Sequence, residues 1–312
     1  MKLINKKSTF AFGVSLIIFS LAALVIAALL SIGRGGLFGS GEKIKHGVGD
    51  PFNLLLVMTD YSPEKFDDYD RQSVENVFDS ASDGTGTRKI RAESMLLVRF
   101  DPSRSEITLT PLSGNTRVSV KGEETTLDLV ASHHGTNLLV EKIRAMTGLE
   151  IDRYAVFTPE SASNAIDLIG SFKYKIKGDL VCQDTALGID INIESGRQTF
   201  DGKKTVELIR YYSYPSTYID KDKILLDFAK KFMKFLTDDF TYEELCGIMS
   251  SISKTAYVSE ELTEEQIGRI GNSGDFSVRL LHVKGSFDDR LRFIPDEKAT
   301  LEEFKPYRRI YS

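Results

Sequence analysis

The stretch FNLLLVMT, residues 52–59, is a continuous apolar run that ends directly before Asp60. Its length and its lack of alternation are typical of a β-strand covered on both faces. A second run of this kind, SMLLVRF at residues 94–100, is followed by a turn at residues 101–103 and by the alternating stretch EITLT at residues 106–110. The second and third segments therefore predict a hairpin.

Strand and helix patterns alternate along the rest of the chain. Further strands are predicted at residues 154–157, 172–176 and 276–283. Helices are predicted at residues 127–146, 162–169, 221–236, 242–252 and 263–270. Gly148 and Gly170 follow the first two helices and are placed to end them. This alternation predicts an α/β fold, in which a central mixed β-sheet is flanked by helices.

The N-terminal part of the chain has a different character. Residues 10–32 contain no charged side chain, and a helix needs about 20 apolar residues to cross a bilayer. A cleaved signal peptide is the alternative, but its apolar core is usually only about 7–15 residues long. Lys2, Lys6 and Lys7 precede the run, so the positive-inside rule keeps the N-terminus in the cytoplasm.

The predicted organisation follows from these flanks. It consists of a cytoplasmic tail at residues 1–9, a single transmembrane helix at residues 10–32, a flexible stalk rich in Gly, Lys and Ser at residues 33–50, and an extracytoplasmic domain at residues 51–312. The expected location is the plasma membrane.

Composition excludes two classes of protein. The net charge of -5, less the three positive charges of the N-terminal lysines, leaves -8 on the remainder, which does not suit general nucleic-acid binding. The two cysteines, Cys182 and Cys246, are too few for a disulfide scaffold. They either pair with each other or are separate buried thiols.

Several motifs occur in a set order. They are NLLLVMTD at residues 53–60, RAESMLLV at 91–98, PLSGNT at 111–116, GLEIDRYAVF at 148–157, IDLIG at 166–170, and RQTFDGKKTVELIRYY at 197–212. This order, together with the single N-terminal anchor, resembles the LytR–CpsA–Psr (LCP) family of cell-envelope proteins.

The resemblance implies a function. Members of that family transfer a glycopolymer, such as teichoic acid or capsule, from a polyprenyl-pyrophosphate carrier to peptidoglycan at the membrane. A divalent cation, Mg²⁺ or Mn²⁺, and arginines hold the pyrophosphate, and the lipid lies in an apolar pocket. Carboxylates and guanidinium groups suit this chemistry because they offset charge that develops on the leaving phosphate.

The family's site residues map onto this chain one by one. Asp60 and Glu93 match the metal ligands, although Glu93 stands where the family has aspartate. Arg91 and Arg210 match catalytic arginines, and Arg210 also belongs to the substrate-binding set with Tyr212 and Lys223.

Other positions depart from the family. Gly114 and Asn115 replace an Arg–Asp pair, Tyr212 replaces a second arginine, and Asp128 replaces an asparagine. Lys223 and Ile224 replace an Arg–Gln pair, and His133 and His134 stand where aromatic and glycine residues are usual. The alternatives are therefore a transferase of altered efficiency, a non-catalytic domain that binds envelope polymer, lipid carrier or a protein partner, and a likeness of architecture alone.

Overall fold

The computed structural model describes residues 51–59, 91–104, 106–184, 189–213, 227–228, 230–232, 235, 257–258, 277–289 and 292–308. The predicted tail, transmembrane helix and stalk lie outside these residues, as do the predicted helices at 242–252 and 263–270. In the described part of the chain, no helix has the length and apolar character needed to cross a membrane.

The described elements are numbered here in chain order. The strands are β1 Phe52–Thr59, β2 Ala92–Asp101, β3 Glu106–Ser113, β4 Arg117–Val120, β5 Glu123–Thr126, β6 Arg153–Phe157, β7 Phe172–Ile176, β8 Leu180–Asp184, β9 Ile189–Ile193, β10 Gly196–Phe200, β11 Tyr257–Val258, β12 Ser277–Leu280, β13 Gly285–Phe287 and β14 Phe293–Pro295. The helices are α1 Leu127–Thr147, α2 Pro159–Ile169, α3 Gly202–Ser213 and α4 Glu297–Phe304, and short 3-10 turns cover Pro102–Arg104 and Lys305–Tyr307.

A six-stranded mixed sheet lies at the centre, in the order β11-β6-β1-β2-β3-β12. β2 is antiparallel to both β1 and β3, which confirms the predicted hairpin. β6 pairs with β1 in parallel, and β12 pairs with β3 in parallel. The mixed sheet predicted from the alternation of elements is confirmed.

Helices cover this sheet because its central strands are apolar on both faces. Residues 54–58 of β1 are each at most 3% exposed, as expected for a strand packed on both sides. α1 and α3 pack against β2, and α2 packs against β1 and β6. Burial of these apolar strands stabilises the domain.

Helix α1 ends where the sequence predicted but contains a break that was not predicted. Gly148 adopts the left-handed conformation at φ 69°, and its N–H donates to the Arg144 carbonyl. Gly135 has φ 79° and ψ 172° inside the helix, a conformation that only glycine adopts without strain. The apolar spacing lapses at the same place, since few core residues lie between Val130 and Leu139.

Helix α2 begins three residues before its predicted start. Thr158 caps it by accepting a hydrogen bond from the Ser161 N–H, and the Ser161 hydroxyl accepts one from the Thr158 N–H in return. Pro159 occupies the first turn, where its missing N–H is not needed.

β7 and β10 form a separate two-stranded ribbon whose inner face is aromatic. Phe172, Tyr174 and Phe200 pack there against Phe228 and Phe232, and the Phe172 and Phe228 ring centroids lie 4.9 Å apart. The described residues between 227 and 235 are helical, in agreement with the helix predicted at 221–236.

A buried ion pair between Arg99 and Asp101 lies at one end of the central sheet. The Arg99 Nη2 and Asp101 Oδ2 atoms are 3.1 Å apart, with side chains 5% and 4% exposed. The Tyr307 ring lies beside Arg99 at 6.0 Å, and the more exposed Arg104 donates to the Pro306 carbonyl. The C-terminal turn is thereby held against the sheet.

Candidate functional site

One end of the central sheet gathers the sequence-predicted motifs. The end of β1 at Thr59 lies opposite the start of β2 at Ala92, and the end of β3 at Ser113 lies opposite Ser94. Since β6 is parallel to β1, it also ends here. Asp60 follows Thr59 directly in sequence but lies outside the described residues.

Glu93 and Arg210 meet at this end of the sheet. The Arg210 Nε donates to Glu93 Oε1 at 3.1 Å, although the two residues are 117 positions apart. The Arg210 side chain is 19% exposed and the Glu93 side chain is 8% exposed. β2 supplies Glu93, and the last turn of α3 supplies Arg210. A charge-assisted contact this far from bulk water orients the guanidinium group firmly.

Arg91 takes part in a second ion pair. Its Nη1 lies 3.4 Å from Asp128 Oδ2, with side chains 48% and 14% exposed. Asp128 stands in the first turn of α1, and its Oδ1 accepts hydrogen bonds from the Thr126 hydroxyl and the Leu129 N–H. The Asp128 backbone N–H donates to the Gly114 carbonyl at 2.9 Å.

Asp128 was absent from the predicted site set. The available signal was a carboxylate at a position where the resembled family has asparagine, at the start of a predicted helix. Burial raises the pKa of Asp128 above its ordinary value, against the lowering effects of the Thr126 hydrogen bond and the Arg91 charge. The raising effect of burial exceeds these lowering effects, because the carboxylate loses more stabilisation by water than its hydrogen-bond and charge partners restore.

This raised pKa predicts the behaviour of Asp128→Asn. The folded state binds the Asp128 proton more tightly than the unfolded state, so the group costs stability at neutral pH, and that cost shrinks as pH falls toward about 4. The asparagine variant is expected to be the more stable protein at pH 7, with the difference disappearing toward that acid limit. Urea unfolding of both proteins across this range measures the difference, and a gap that widens toward acid would contradict the expectation.

Gly114 lies in the turn after β3, packed closely against its neighbours. A Cβ at this position would lie 3.0 Å from the Ala92 carbonyl oxygen and 3.2 Å from the Asp128 Cβ. The adjacent Asn115 accepts a hydrogen bond from the Ser113 hydroxyl within the same turn. A side chain at position 114, where the family has an arginine, therefore requires these neighbours to shift by a few tenths of an ångström.

The other residues singled out from the sequence lie elsewhere in the described structure or outside its described part. Tyr212 lies in α3, but its side chain is not described, and Lys223 lies outside the described residues. His133 and His134 are exposed, with ring centroids 6.2 Å apart, beside the break in α1. The Cys182 side chain is half-buried, and Cys246 lies outside the described residues.

Comparison with known proteins agrees with this arrangement. The LytR_cpsA_psr family matches residues 40–218, more than half of the chain. The biofilm regulatory protein A of Streptococcus mutans is 20% identical over 262 residues, which cover 79% of this chain and 59% of that protein. The chain thus spans about three fifths of the length of this curated relative.

Solved structures share the fold. B. subtilis TagV superposes with a TM-score of 0.57 at 16% identity, covering 83% of this chain and 96% of TagV. TagT bound to LIIa-WTA superposes with a TM-score of 0.57 at 15% identity, covering 85% of this chain and 92% of TagT. With its family match, its mixed sheet and the motif residues gathered at one end of that sheet, this chain belongs to the LytR–CpsA–Psr family.

Proposed function

We propose that this chain is a membrane-anchored cell-envelope protein that transfers a glycopolymer from a polyprenyl-pyrophosphate carrier to peptidoglycan. Family membership supports the class of reaction, and TagT, which shares the fold, was solved bound to LIIa-WTA. The observation that carries the proposal is the Arg210–Glu93 contact, with the Arg91–Asp128 pair at the same end of the sheet.

Arg210 is the residue that we expect to bind the pyrophosphate. Its Nε donates a hydrogen bond to the Glu93 carboxylate, and this bond fixes the plane of the guanidinium group. A planar guanidinium with several donors suits phosphate oxygens better than a point charge does. Arg91 is half exposed and supplies a second guanidinium group at this end of the sheet. Tyr212 and Lys223 are proposed to contact the substrate beside Arg210.

The charge balance of the site favours a divalent cation. When ionised, Glu93 and Asp128 offset Arg91 and Arg210, so these four groups together are neutral. An anionic pyrophosphate therefore requires additional positive charge, which Mg²⁺ or Mn²⁺ would supply on the leaving phosphate.

Carboxylate oxygens are the donors that these cations prefer. Among the described residues, no group of three or more His, Cys, Asp or Glu side chains is placed to hold a metal. Mg²⁺ bound to phosphates usually needs only one or two protein carboxylates, with water completing its coordination. Glu93, together with Asp60, is proposed to provide them.

The proposed location places the site near its substrates. With the N-terminus cytoplasmic and residues 10–32 in the plasma membrane, the domain lies outside, next to the lipid carrier and the cell wall. Treatment of intact cells with protease tests this arrangement, because the region after the anchor should then be degraded.

Gly114 supports a second candidate, a domain that binds envelope polymer or its carrier without turnover. A Cβ at position 114, where the family has an arginine, would lie 3.0 Å from the Ala92 carbonyl oxygen. The described turn therefore leaves little room for a side chain at this position. Binding through Arg210 does not depend on that missing arginine, whereas stabilisation of the leaving phosphate does.

One experiment distinguishes the transferase from the non-catalytic binding domain. The full-length protein, reconstituted in nanodiscs, is given a polyprenyl-pyrophosphate-linked oligosaccharide, Mg²⁺ or Mn²⁺, and purified peptidoglycan. Mass spectrometry measures the oligosaccharide attached to peptidoglycan, and a labelled non-hydrolysable carrier analogue measures binding. We expect metal-dependent transfer that is about 100–1,000-fold slower than that of a family member with the Arg–Asp pair intact.

Each alternative result has a defined meaning. Binding of the analogue without any transfer would refute the transferase proposal and support the non-catalytic binding domain. Neither binding nor transfer would refute both candidates.

A further inference from the structure

The β7–β10 ribbon has two faces of opposite character. Along β7 the side chains alternate strictly, with Phe172, Tyr174 and Ile176 buried and the residues between them exposed. The buried side chains rest on the aromatic cluster formed with Phe228 and Phe232. The outer face is therefore presented to solvent on a rigid support.

This outer face is strongly basic. Its cations are Lys173, Lys175 and Lys177 from β7 and the residue just after it, and Arg197 from β10. Lys175 lies directly opposite Arg197 in the antiparallel register. Like charges placed opposite each other across two strands destabilise the pair. We call these four side chains the basic ribbon.

In the part of the chain that the structure describes, carboxylates neutralise the basic ribbon only in part: Asp227 interacts electrostatically with Lys177, although its closer cation is Lys231. Among the described residues, no ion pair includes any of its four cations. The nearby carboxylate of Asp179 lies beyond the end of β7, where it accepts a hydrogen bond from the Ser195 N–H. The whole chain is acidic, with a net charge of -5, so this concentration of positive charge contrasts with its overall composition. An anionic ligand would relieve the repulsion within the ribbon.

The spacing of the cations suits a chain-like ligand. Residues two apart on a strand are separated by roughly 7 Å, which is the spacing of Lys173 and Lys175 on β7, and Lys177 follows directly after the strand. A row of this kind matches a polymer with regularly repeated anionic groups better than it matches a single compact anion, which one or two cations would bind.

The ribbon also has a direct connection to the candidate site. β10 ends at Phe200, α3 begins at Gly202, and Arg210 stands in the last turn of α3. Eight residues of helix span about 12 Å, and the five residues from Arg197 to Gly202 add at most about 17 Å, so the ribbon lies within about 30 Å of Arg210 along the chain. A polymer whose carrier-linked end is held by Arg210 has the ribbon within reach.

We propose that the basic ribbon is a second binding site, which holds the anionic chain of a phosphate-bearing glycopolymer at a distance from the pyrophosphate. This inference rests on the proposed function for the kind of polymer, but the ribbon's affinity for polyanions is measured without turnover.

The test uses binding of a fluorescent poly(glycerol phosphate) oligomer to the full-length protein in phosphatidylcholine nanodiscs. The variant Lys173→Gln/Lys175→Gln/Arg197→Gln is expected to bind about tenfold more weakly or worse, with a smaller dependence of affinity on salt, because fewer counterions are released. The matched control Lys121→Gln/Lys298→Gln/Lys305→Gln removes the same net charge from exposed positions elsewhere. It is expected to stay within about twofold of the unaltered protein, since these positions lie outside the ribbon.

Other outcomes would overturn the inference. Equal losses in both triple variants would mean that only net charge matters, and unchanged binding in the ribbon variant would place the polymer elsewhere. If the ribbon variant instead lost binding to phosphatidylglycerol vesicles while keeping the oligomer, the ribbon would be a lipid-binding surface. Oligomer binding that depends on the ribbon in a protein without transfer activity would refute the proposed function and leave the ribbon site standing.

Discussion

Arg210→Ala is expected to lower the rate of glycopolymer transfer by about 100–1,000-fold, the usual effect of removing an electrostatic donor at a developing charge. The reason lies in the described site, where Arg210 and Arg91 are the guanidinium groups, and Arg91 is far more exposed. The reconstituted transfer assay measures the effect, and Arg210→Lys is expected to recover only part of the rate because an ammonium group lacks the planar fork.

A matched control separates catalysis from folding. Removal of Arg210 also leaves the buried carboxylate of Glu93 without this partner, which lowers stability. Arg279 makes the same kind of contact elsewhere, since its Nε lies 3.1 Å from the largely buried Glu106 carboxylate. Arg279→Ala is expected to lower stability without slowing transfer. Equal slowing in both variants, or unchanged transfer in Arg210→Ala, would remove Arg210 from the proposed mechanism.

Asp101→Ala is expected to cause the largest loss of stability, about 3–5 kcal/mol, because it leaves the buried guanidinium of Arg99 without its carboxylate. Asp101 also accepts hydrogen bonds from the Ser103 hydroxyl and the Arg104 N–H, which are lost together with the ion pair. Urea denaturation of the variant and of the unaltered protein gives the difference in the free energy of unfolding.

Two further variants test whether burial is the cause. Arg104→Ala removes a half-exposed partner of Asp101 and is expected to cost about 1 kcal/mol or less. Arg99→Met/Asp101→Leu replaces both charges with apolar side chains and is expected to recover much of the loss. If Asp101→Ala costs no more than Arg104→Ala, the buried pair is not the element that secures this end of the sheet.

The central sheet was largely predictable because its longest strands are nearly continuous apolar runs in the sequence. Residues 52–59 and 94–100 lack polar alternation, and both are buried on two faces. Shorter strands were missed for the opposite reason. β8 and β10 each have five residues and mix apolar with charged or amide side chains without a clear alternation, so their pattern resembles that of a loop, whereas β9 alternates Ile with Asp and Asn over only five residues.

The candidate site was predictable only through family resemblance. No local pattern relates Glu93 to Arg210, because one stands at a strand start and the other at a helix end, and only the tertiary fold joins them. Asp128 was missed because its role depends on burial and on Arg91, neither of which the sequence displays. The tight turn at Gly114 was likewise invisible, since its constraint is the position of the Ala92 carbonyl.

The parallel pairing of β12 with β3 has a consequence for how the protein matures. Ser277 lies opposite Glu106, so the outer edge of β3 stays without this neighbour until residues 277–280 have been synthesised. Pairings between such distant segments form slowly, and an uncovered strand edge recruits other chains. Nascent chains that stop before residue 277 should therefore be sensitive to proteases and prone to aggregate, so that truncated forms are removed rather than accumulated.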